Sequence, residues 1–363
     1  MSTLKGRLDI AAVAIPSAAG RPPQDFEAYQ ALREAVELER WGDLDRCPTR
    51  QESLVHWQGT PYEERRLFLA RLDGEPVGAC WVELPLRENT ATAGIQVLVA
   101  KPFRRRGIGT ALLEFAEQAA TAKGRTSLDG YVEIPAGMLD GATDLLPAKS
   151  GAGALPLSVP AIAFAAASGY QLEQVERSSR LDLAGIEPRL AELETALVPA
   201  ASNYGLAWWQ GQCPEELVED FAALKRRMST SVPIAGMDWE EEDWDAERVR
   251  REEARLAASG YESILTAARA PETGQLVAYT ELNWRPGTRT AFQQDTLVVS
   301  EHRGRNLGMR LKIANLRRAT HEWPAAWHVL TWNAAENRHM LAINVALGFR
   351  AAGYQGEWQK RLK

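Results

Sequence analysis

The stretch VAKPFRRRGIGTALLEFAEQAA, Val99–Ala120, ends an apolar run, passes through three arginines and two glycines, and opens a segment with helical periodicity. A strand that leads through such a turn into a helix directs several backbone N–H groups to the positive end of the helix dipole. Glycine lets the backbone approach a bound anion closely, and arginine adds positive charge around it. The pattern therefore predicts a turn that binds phosphate or pyrophosphate.

A similar stretch, VVSEHRGRNLGMRLKIANLRRA, occurs later in the chain at Val298–Ala319. The apolar runs and helical patterns around it follow the same order as in the first half. The matching positions share one offset of 199 residues: Val99 and Val298, Arg104 and Arg303, Gly109 and Gly308. This regularity predicts two duplicated domains, at 1–187 and 188–363, with an irregular insertion at about 135–160 in the first.

The bulk properties exclude several classes of protein. A length of 363 residues suits two domains, and a net charge of −6 argues against general attraction to nucleic acid or anionic membranes. Three cysteines and five histidines without ligand spacing argue against a disulfide framework and a metal site. No signal peptide and no apolar run near 18 residues is found. We expect a cytoplasmic protein, monomeric or homodimeric, without nucleic-acid or membrane partners.

Local patterns predict further elements. Asp73-Gly74 and Thr273-Gly274 lie between β-rich runs and predict two hairpins. The segment after Gly169-Tyr170 is interpreted as a hairpin-like pair of strands. The acidic stretch 238–259 has the charge spacing of an exposed helix.

The motif of the basic turn is R-x-x-G-x-G at Arg104–Gly109, and it recurs in looser form at Arg303–Gly308. The chain contains no P-loop motif and no dinucleotide-binding glycine motif. Both turns resemble the pyrophosphate loop of the GNAT superfamily of acyl-CoA-dependent N-acyltransferases, Q/R-x-x-G-x-G/A. The stretch NAAENRHMLAINVALGF, 333–349, is similar to a later motif of that family. The tandem arrangement is similar to that of mycothiol synthase and related actinobacterial two-domain proteins.

This resemblance implies a fold class and a co-substrate. The fold would be α/β, of the α+β GNAT type, with a mixed, mostly antiparallel sheet flanked by helices in each domain. The co-substrate would be acetyl-CoA or another acyl-CoA, with no metal. The implied CoA-binding residues are Leu98, Val99, Arg104, Arg105, Arg106, Gly107, Ile108, Gly109 and Thr110 in the first half, and Leu297, Val298, Val299, Arg303, Gly304, Arg305, Asn306, Leu307, Gly308 and Asn337 in the second.

Neither half keeps the catalytic pair that is frequent in the family. The position of the usual glutamate base, six residues before the valine that ends the strand, holds Ala93 and Phe292. The position of the usual tyrosine acid holds Ala165 and Asn344.

Other residues could replace that pair. In the second half, Glu281 or Asp295 could accept the amine proton, and Asn344 could donate a hydrogen bond to the thiolate. The first half offers Glu83 and Gln96 in comparable places. We therefore expect the chemistry in the second half, although the first has the better pyrophosphate loop.

Three functions fit these observations. The first is an N-acyltransferase that acts on a small amine by direct attack in a ternary complex. The second is a non-catalytic CoA-binding sensor or partner protein, which the missing catalytic pair would explain. The third is an acetyltransferase acting on protein amines. The acceptor, the acyl group and whether both halves bind CoA stay open.

Overall fold

The structure is a computed structural model that describes residues 6–16, 23–197, 201, 203–231, 236–237 and 239–362. It contains two compact units. The first comprises Met1–Val175, Ala235–Trp239 and Gln355–Lys363, and the second comprises Glu176–Ile234 and Glu240–Tyr354. This division differs from the predicted boundary at 187/188, because the sheet of the first unit takes in the C-terminal segment while residues from 176 onward pair within the second unit.

The first unit is a sheet with helices on its faces. Its strands follow the order β1-β2-β3-β4-β5, and residues 355–361 and 171–175 complete it. Its elements are β1 (Leu8–Ala12), α1 (Gln24–Trp41), α2 (Arg50–Trp57), β2 (Glu63–Leu72), β3 (Glu75–Pro85), β4 (Thr92–Val99), α3 (Ile108–Thr121), β5 (Ser127–Pro135), β6 (Leu145–Pro147), β7 (Ala154–Pro156), α4 (Pro160–Ala167) and the start of β8 (Gln171–Asp182).

Helix α1 forms because its apolar residues recur at helical spacing, and it ends at Gly42, whose φ of 79° suits the left-handed cap. The buried face of α1 includes Phe26 and Tyr29, which pack with Trp81 and Leu98 of the sheet in one core cluster. This packing places α1 over the strands β3 and β4.

Two predicted features of the first unit have different outcomes. The turn at Asp73-Gly74 has φ angles of 50° and 89° and joins β2 to β3, as the predicted hairpin requires. The prediction of a hairpin-like pair after Gly169 is wrong: the segment is one strand, β8, because its backbone pairs with strands from distant parts of the chain. The insertion at 135–160 contains a small hairpin of β6 and β7.

The second unit repeats this plan. Its strands follow the order β9-β10-β11-β12-β13, and residues 176–182 of β8 pair antiparallel with β13. Its elements are α5 (Glu187–Thr195), β9 (Gly205–Gln210), α6 (Val218–Ser231), α7 (Ala246–Ala258), β10 (Glu262–Arg269), β11 (Leu276–Trp284), β12 (Thr290–Val298), α8 (Leu307–Glu322), β13 (His328–Ala334), α9 (Arg338–Leu347) and the start of β14 (Arg350–Arg361).

The acidic helix of this unit is shorter than predicted. Helix α7 begins at Ala246, because the Asp245 carboxylate accepts a hydrogen bond from the Arg248 amide and caps it. Residues 239–245 are not helical, and residue 238 lies outside the described residues.

Candidate active site

Each unit contains a pair of parallel strands whose pairing stops early. In the second unit, β12 and β13 pair from Thr290–His328 to Phe292–Leu330, although β12 continues to Val298. In the first unit, β4 and β5 pair from Thr92–Ser127 to Gly94–Asp129. A strand that leaves its partner exposes backbone N–H and C=O groups, which an extended ligand can pair with. The predicted CoA residues Leu98, Val99, Leu297, Val298 and Val299 lie at or just after the ends of β4 and β12.

The two basic turns share one backbone conformation despite their different sequences. Left-handed φ angles occur at Arg105 and Gly107, 62° and 85°, and at Gly304 and Asn306, 76° and 58°. These positions correspond at the offset of 199. Asn306 is in the left-handed conformation, which asparagine tolerates better than most residues. The two turns therefore have the same backbone conformation, although their glycines lie at different positions.

Helices α3 and α8 both start without a side-chain cap, so the N–H groups of their first turns keep room for an external acceptor. A Cβ at Gly109 would lie 3.7 Å from Phe164 Cζ, and one at Gly308 would lie 3.7 Å from Ile343 Cδ1, both ordinary contacts. Packing within the chain does not demand glycine at either position. The pyrophosphate site at these turns stays a prediction, in which a ligand would approach the backbone closely.

The first arginine of each turn braces it. The Nε atoms of Arg104 and Arg303 donate to the carbonyls of Val99 and Val298 at 2.9 and 3.0 Å. Arg104 also donates to both carboxylate oxygens of Glu39, at 3.0 and 2.8 Å. These two side chains hold the strand end against the turn, and the positive charge of Arg104 is already paired.

The other predicted turn residues differ between the units. Arg105 and Arg106 are exposed in the first unit, with Arg106 lying over the Phe103 ring. In the second unit Arg305 contacts Tyr204 Oη, and Tyr204 Oη lies 2.8 Å from His302 Nδ1. The first unit therefore offers more free positive charge. Ile108, Thr110 and Leu307 lie in the first turns of their helices.

The two predicted carboxylates of the second unit share one lysine. Lys225 Nζ of α6 lies 2.7 Å from Asp295 Oδ2 and 3.8 Å from Glu281 Oε2. The hydroxyl of Tyr279 donates to the same Asp295 oxygen at 2.8 Å. The side chains of Lys225, Asp295 and Glu281 are 16%, 30% and 9% exposed, so Glu281 is buried while Asp295 is reachable from solvent. We call these four residues the Lys225 cluster.

The environment separates the two carboxylates. Burial raises the pKa of Glu281, and neighbouring Lys225 offsets only part of that effect. Burial also acts to raise the pKa of Asp295, but the charge and hydrogen bond of Lys225 outweigh it, so the pKa lies below its usual value. A general base works best when its pKa lies near the working pH. Glu281 therefore suits that role better than Asp295, which the ion pair holds ionised.

Strand register explains how the cluster is assembled. Ala278 pairs with Val298 and Thr280 with Thr296, but Leu282 pairs with Gln293, so β12 carries a bulge opposite Glu281. Bulges re-aim side chains next to functional sites. The bulge places Asp295 beside Glu281 at the point where β12 has left β13.

The asparagines of the second unit lie on other elements. Asn344 of α9 is fully buried, and its Nδ2 donates to Asn333 Oδ1 of β13 at 2.6 Å. The Oδ1 atom of Asn344 has no partner among the described residues. Asn337 caps α9, since its Oδ1 accepts from the Met340 amide at 3.2 Å. The structure therefore joins Glu281 to Asp295 through Lys225, and holds Asn344 in a separate hydrogen-bonded pair.

The described residues of the first unit form no such cluster. In this unit the counterpart of Glu281 is Trp81. Gly78 pairs with Val99 as Ala278 pairs with Val298, and Trp81 and Glu281 each follow three residues later. Gln96 takes the place of Asp295, and its Nε2 donates across to the Tyr131 carbonyl of β5 at 3.1 Å. The candidate Glu83 lies two residues further along β3 and is 3.3 Å from His56 Nε2. The carboxylates at the gap are thus a property of the second unit.

Sequence reasoning missed Lys225 and Tyr279. Tyr279 lies in a predicted strand whose pattern is apolar, so it gives no sign of a polar role. Lys225 begins the run KRRM, whose composition is typical of a solvated helix face. The one available signal is the spacing of Phe221 and Lys225, which are four residues apart and therefore share a helix face. Among the described residues, no group of three or more metal-ligating side chains is placed to hold a metal, and no helix is long and apolar enough to cross a membrane.

Comparison with known proteins agrees with this geometry. Residues 30–133 match the sequence model of the Acetyltransferase (GNAT) family. The chain is similar to a tandem GNAT protein from the clavulanic acid biosynthesis pathway, solved without AcCoA, with 26% identity, a TM-score of 0.75 and 98% of each chain covered. No curated protein sequence matched the chain.

Two further structures share the fold. A GCN5-related N-acetyltransferase from Sphaerobacter thermophilus has 16% identity and a TM-score of 0.62, with 99% of this chain and 97% of that chain covered. A GCN5-related glucosamine N-acetyltransferase region of a fungal multi-domain GH3 β-N-acetylglucosaminidase has 13% identity and a TM-score of 0.64, with 98% of this chain and 38% of that chain covered. The predicted mixed, mostly antiparallel fold is confirmed: residues 30–133 match the Acetyltransferase (GNAT) family, and the whole chain is similar to a tandem GNAT protein.

Proposed function

We propose that the protein is an acyl-CoA-dependent N-acyltransferase that uses the second unit to acylate the amine of a small molecule. Acetyl-CoA is the simplest donor. The observation that carries the proposal is the position of Glu281, a desolvated carboxylate with a raised pKa beside the gap between β12 and β13. An acyl transfer to an amine needs a base close to the thioester, to accept the proton of the attacking amine.

The reaction follows from the residues at the gap. Glu281 accepts the proton of the attacking amine, directly or through water, as the nitrogen bonds to the thioester carbonyl carbon. The C–S bond then breaks, and CoA leaves as a thiolate that takes a proton from solvent. Asn344 has an amide group that could donate a hydrogen bond to the sulfur, after a rearrangement that releases Asn333.

Asp295 and Lys225 act by position in this scheme. The ion pair keeps Asp295 ionised, and the negative charge of Asp295 helps to raise the pKa of Glu281. Lys225 works in the opposite sense, so the balance between the two sets the basicity of Glu281. The charged rim of the cluster would also attract a cationic amine.

The first experiment measures acetyl-CoA binding by calorimetric titration, and acyl transfer by a turnover assay, on the wild type, Gly109→Glu and Gly308→Glu. Each substitution adds a carboxylate where the turn would hold pyrophosphate. We expect Gly308→Glu to abolish acyl transfer whether or not the first unit still binds CoA. If Gly109→Glu alone abolished both binding and turnover, the chemistry would belong to the first unit.

A panel of small amines and lysine peptides then tests turnover. Glu281→Gln should lower kcat strongly with little loss of CoA affinity, while Asp295→Asn should lower it less. Glu83→Gln, in the first unit, is the matched control and should keep the wild-type rate. No turnover with any acceptor would favour a CoA sensor, and peptides that outran every amine would favour a protein acetyltransferase.

A further inference from the structure

We propose that Gln293 of β12 is a positioning residue for the Lys225 cluster. Its side-chain amide fills the bulge of β12 and thereby holds Asp295 beside Glu281 and Lys225. This inference rests on the proposed function, because it assigns a role within the same site. It goes beyond that function by placing one determinant of the site on the opposite face of the sheet.

The amide of Gln293 lies inside the bulge. The residue is 5% exposed. Its Nε2 donates to the Glu281 carbonyl at 2.7 Å and to the Thr280 hydroxyl at 3.1 Å. An amide nitrogen carries two hydrogens, so Gln293 joins β12 to β11 where the bulge interrupts their ladder. Three further oxygens surround the same nitrogen: the carbonyls of Gln294 and Asp295 at 3.3 and 3.4 Å, and the Thr296 hydroxyl at 3.5 Å.

Gln293 acts from the face of the sheet opposite to the cluster. It pairs with Leu282, whose side chain packs in one apolar core with Ile313 of α8. Successive side chains of a strand point to opposite faces, so Leu282 and Glu281 face opposite ways. Gln293 reaches Glu281 and Asp295 through their carbonyls rather than their carboxylates. It therefore acts on the cluster through the backbone.

The first unit contains the same two strands without a bulge. There β3 and β4 pair residue by residue, with Gln96 alone opposite Trp81. In the second unit, two residues, Gln294 and Asp295, lie opposite Glu281. Strand β12 therefore has one residue more than β4 at this point.

The polar amide accompanies the bulge. Ile95 is the counterpart of Gln293, because it pairs with Val82 as Gln293 pairs with Leu282. Ile95 is buried and donates no side-chain hydrogen bond, and the ladder beside it is regular. A buried amide costs free energy unless it is hydrogen-bonded, so the bulge and its amide are complementary. The hydroxyl partners of the amide also have apolar counterparts in the first unit: Cys80 for Thr280, and Val97 for Thr296.

Loss of the amide would affect Asp295 first. A bulge without a donor inside it leaves the Glu281 carbonyl without the bond from Gln293, and the strand would relax toward regular pairing. Because the two faces of a strand alternate, a shift by one residue turns a side chain to the other face. Asp295 would then leave Lys225, and the charge of Lys225 would act on Glu281 alone.

The charges around Glu281 give the sign of this effect. Burial raises the pKa of Glu281; Lys225 lowers it, Asp295 raises it, a hydrogen bond from Asn283 lowers it and the charge of Glu252 raises it. Asn283 of β11 and Glu252 of α7 lie outside the bulge. Displacement of Asp295 removes a like charge and leaves Lys225 to pair with Glu281. Both changes lower the pKa of Glu281.

The test compares Gln293→Met with the wild type, since methionine keeps a similar volume and removes both donors. We expect kcat to fall about tenfold, because the base becomes weaker, while the KM for acetyl-CoA changes less than about twofold. The acid limb of kcat/KM should move to lower pH by about half a unit. The matched control is Gln294→Met, which changes the neighbouring, exposed glutamine of the same strand and should alter none of these values.

Two further variants separate positioning from a general loss of structure. In Asp295→Asn the like charge is already absent, so the addition of Gln293→Met should move the acid limb no further. Gln293→Asn keeps an amide that is one methylene shorter and does not span both acceptors. It should shift the limb in the same direction by less, and it carries the test if the methionine variant does not fold.

Carbon-13 NMR titration of the Glu281 carboxylate, assigned with Glu281→Gln, measures its pKa without turnover. We expect a lower pKa in Gln293→Met and the wild-type value in Gln294→Met. The inference is overturned by an unchanged Glu281 pKa in Gln293→Met, by an equal shift in Gln294→Met, or by the full shift in the Asp295→Asn background. A wild-type protein that acylated no amine would overturn the proposed function alone, and the NMR titration would still decide whether Gln293 positions Asp295.

Discussion

Lys312 is a lysine of α8 whose side chain is buried inside the second unit. The residue is 2% exposed, and its neighbours Leu311 and Ile313 are buried as well. Among the described residues it has no hydrogen-bond or ion-pair partner. Burial lowers its pKa from 10.5 to about 7. At the corresponding position, 199 residues earlier, the first unit has Leu113.

We expect Lys312→Met to stabilise the protein at neutral pH. The shift of the pKa from 10.5 to about 7 corresponds to a penalty on the order of 4 kcal/mol at pH 7, because one pKa unit represents about 1.4 kcal/mol. Methionine fills a similar volume and removes this penalty. A melting-temperature rise of several degrees should accompany the substitution.

The pH dependence gives the sign of the effect. Between the two pKa values of Lys312 the unfolded chain binds more protons than the folded one, so wild-type stability rises with pH from about 7 to 10.5. Above this window both states carry neutral lysine. The advantage of Lys312→Met over the wild type should therefore be largest at pH 7 or below and should vanish above the upper pKa.

Urea unfolding at a series of pH values from neutral to alkaline measures this difference. The matched control is Lys360→Met, which removes a lysine paired with Glu117 at 2.9 Å and should be neutral or destabilising. The reasoning is refuted if Lys312→Met is no more stable than the wild type at pH 7, or if its advantage does not shrink as the pH rises.

Three other predictions follow from the second unit and the C-terminal strand. Lys225→Met should lower the free energy of unfolding by about 2–3 kcal/mol, because it leaves the buried Glu281 and the partly buried Asp295 without their cation, and urea titration measures this. The acid limb of kcat/KM should lie above pH 4.5, the ordinary pKa of Glu281, and should move higher still in Lys225→Met; a limb at or below that value would contradict the base assignment. Gly356→Ala should cost about 1–3 kcal/mol, since a Cβ would come within 2.5 Å of Leu155 Cδ1, and an unchanged melting temperature would contradict this.

The catalytic assignment was the least predictable part of the site. The sequence places Glu281 and Asp295 on two consecutive strands, β11 and β12, so their proximity was expected. Their difference in basicity was not, because it depends on Lys225, which reaches them from a helix more than fifty residues away in the chain. The bulge in β12 that turns Asp295 toward Glu281 is likewise a property of strand pairing rather than of local pattern.

The sequence by itself determined the duplication, the two basic turns and the fold, because these depend on local spacing: apolar periodicity, glycine or asparagine at left-handed positions, and a helix start directly after. Only the tertiary structure decided the course of the last strands and the state of each charge. Residues 355–361 join the sheet of the first unit, and Lys225 meets Glu281 and Asp295 from a helix that lies far from both in the chain. Strand order and charge pairing both arise between segments distant in sequence, and no local pattern records them.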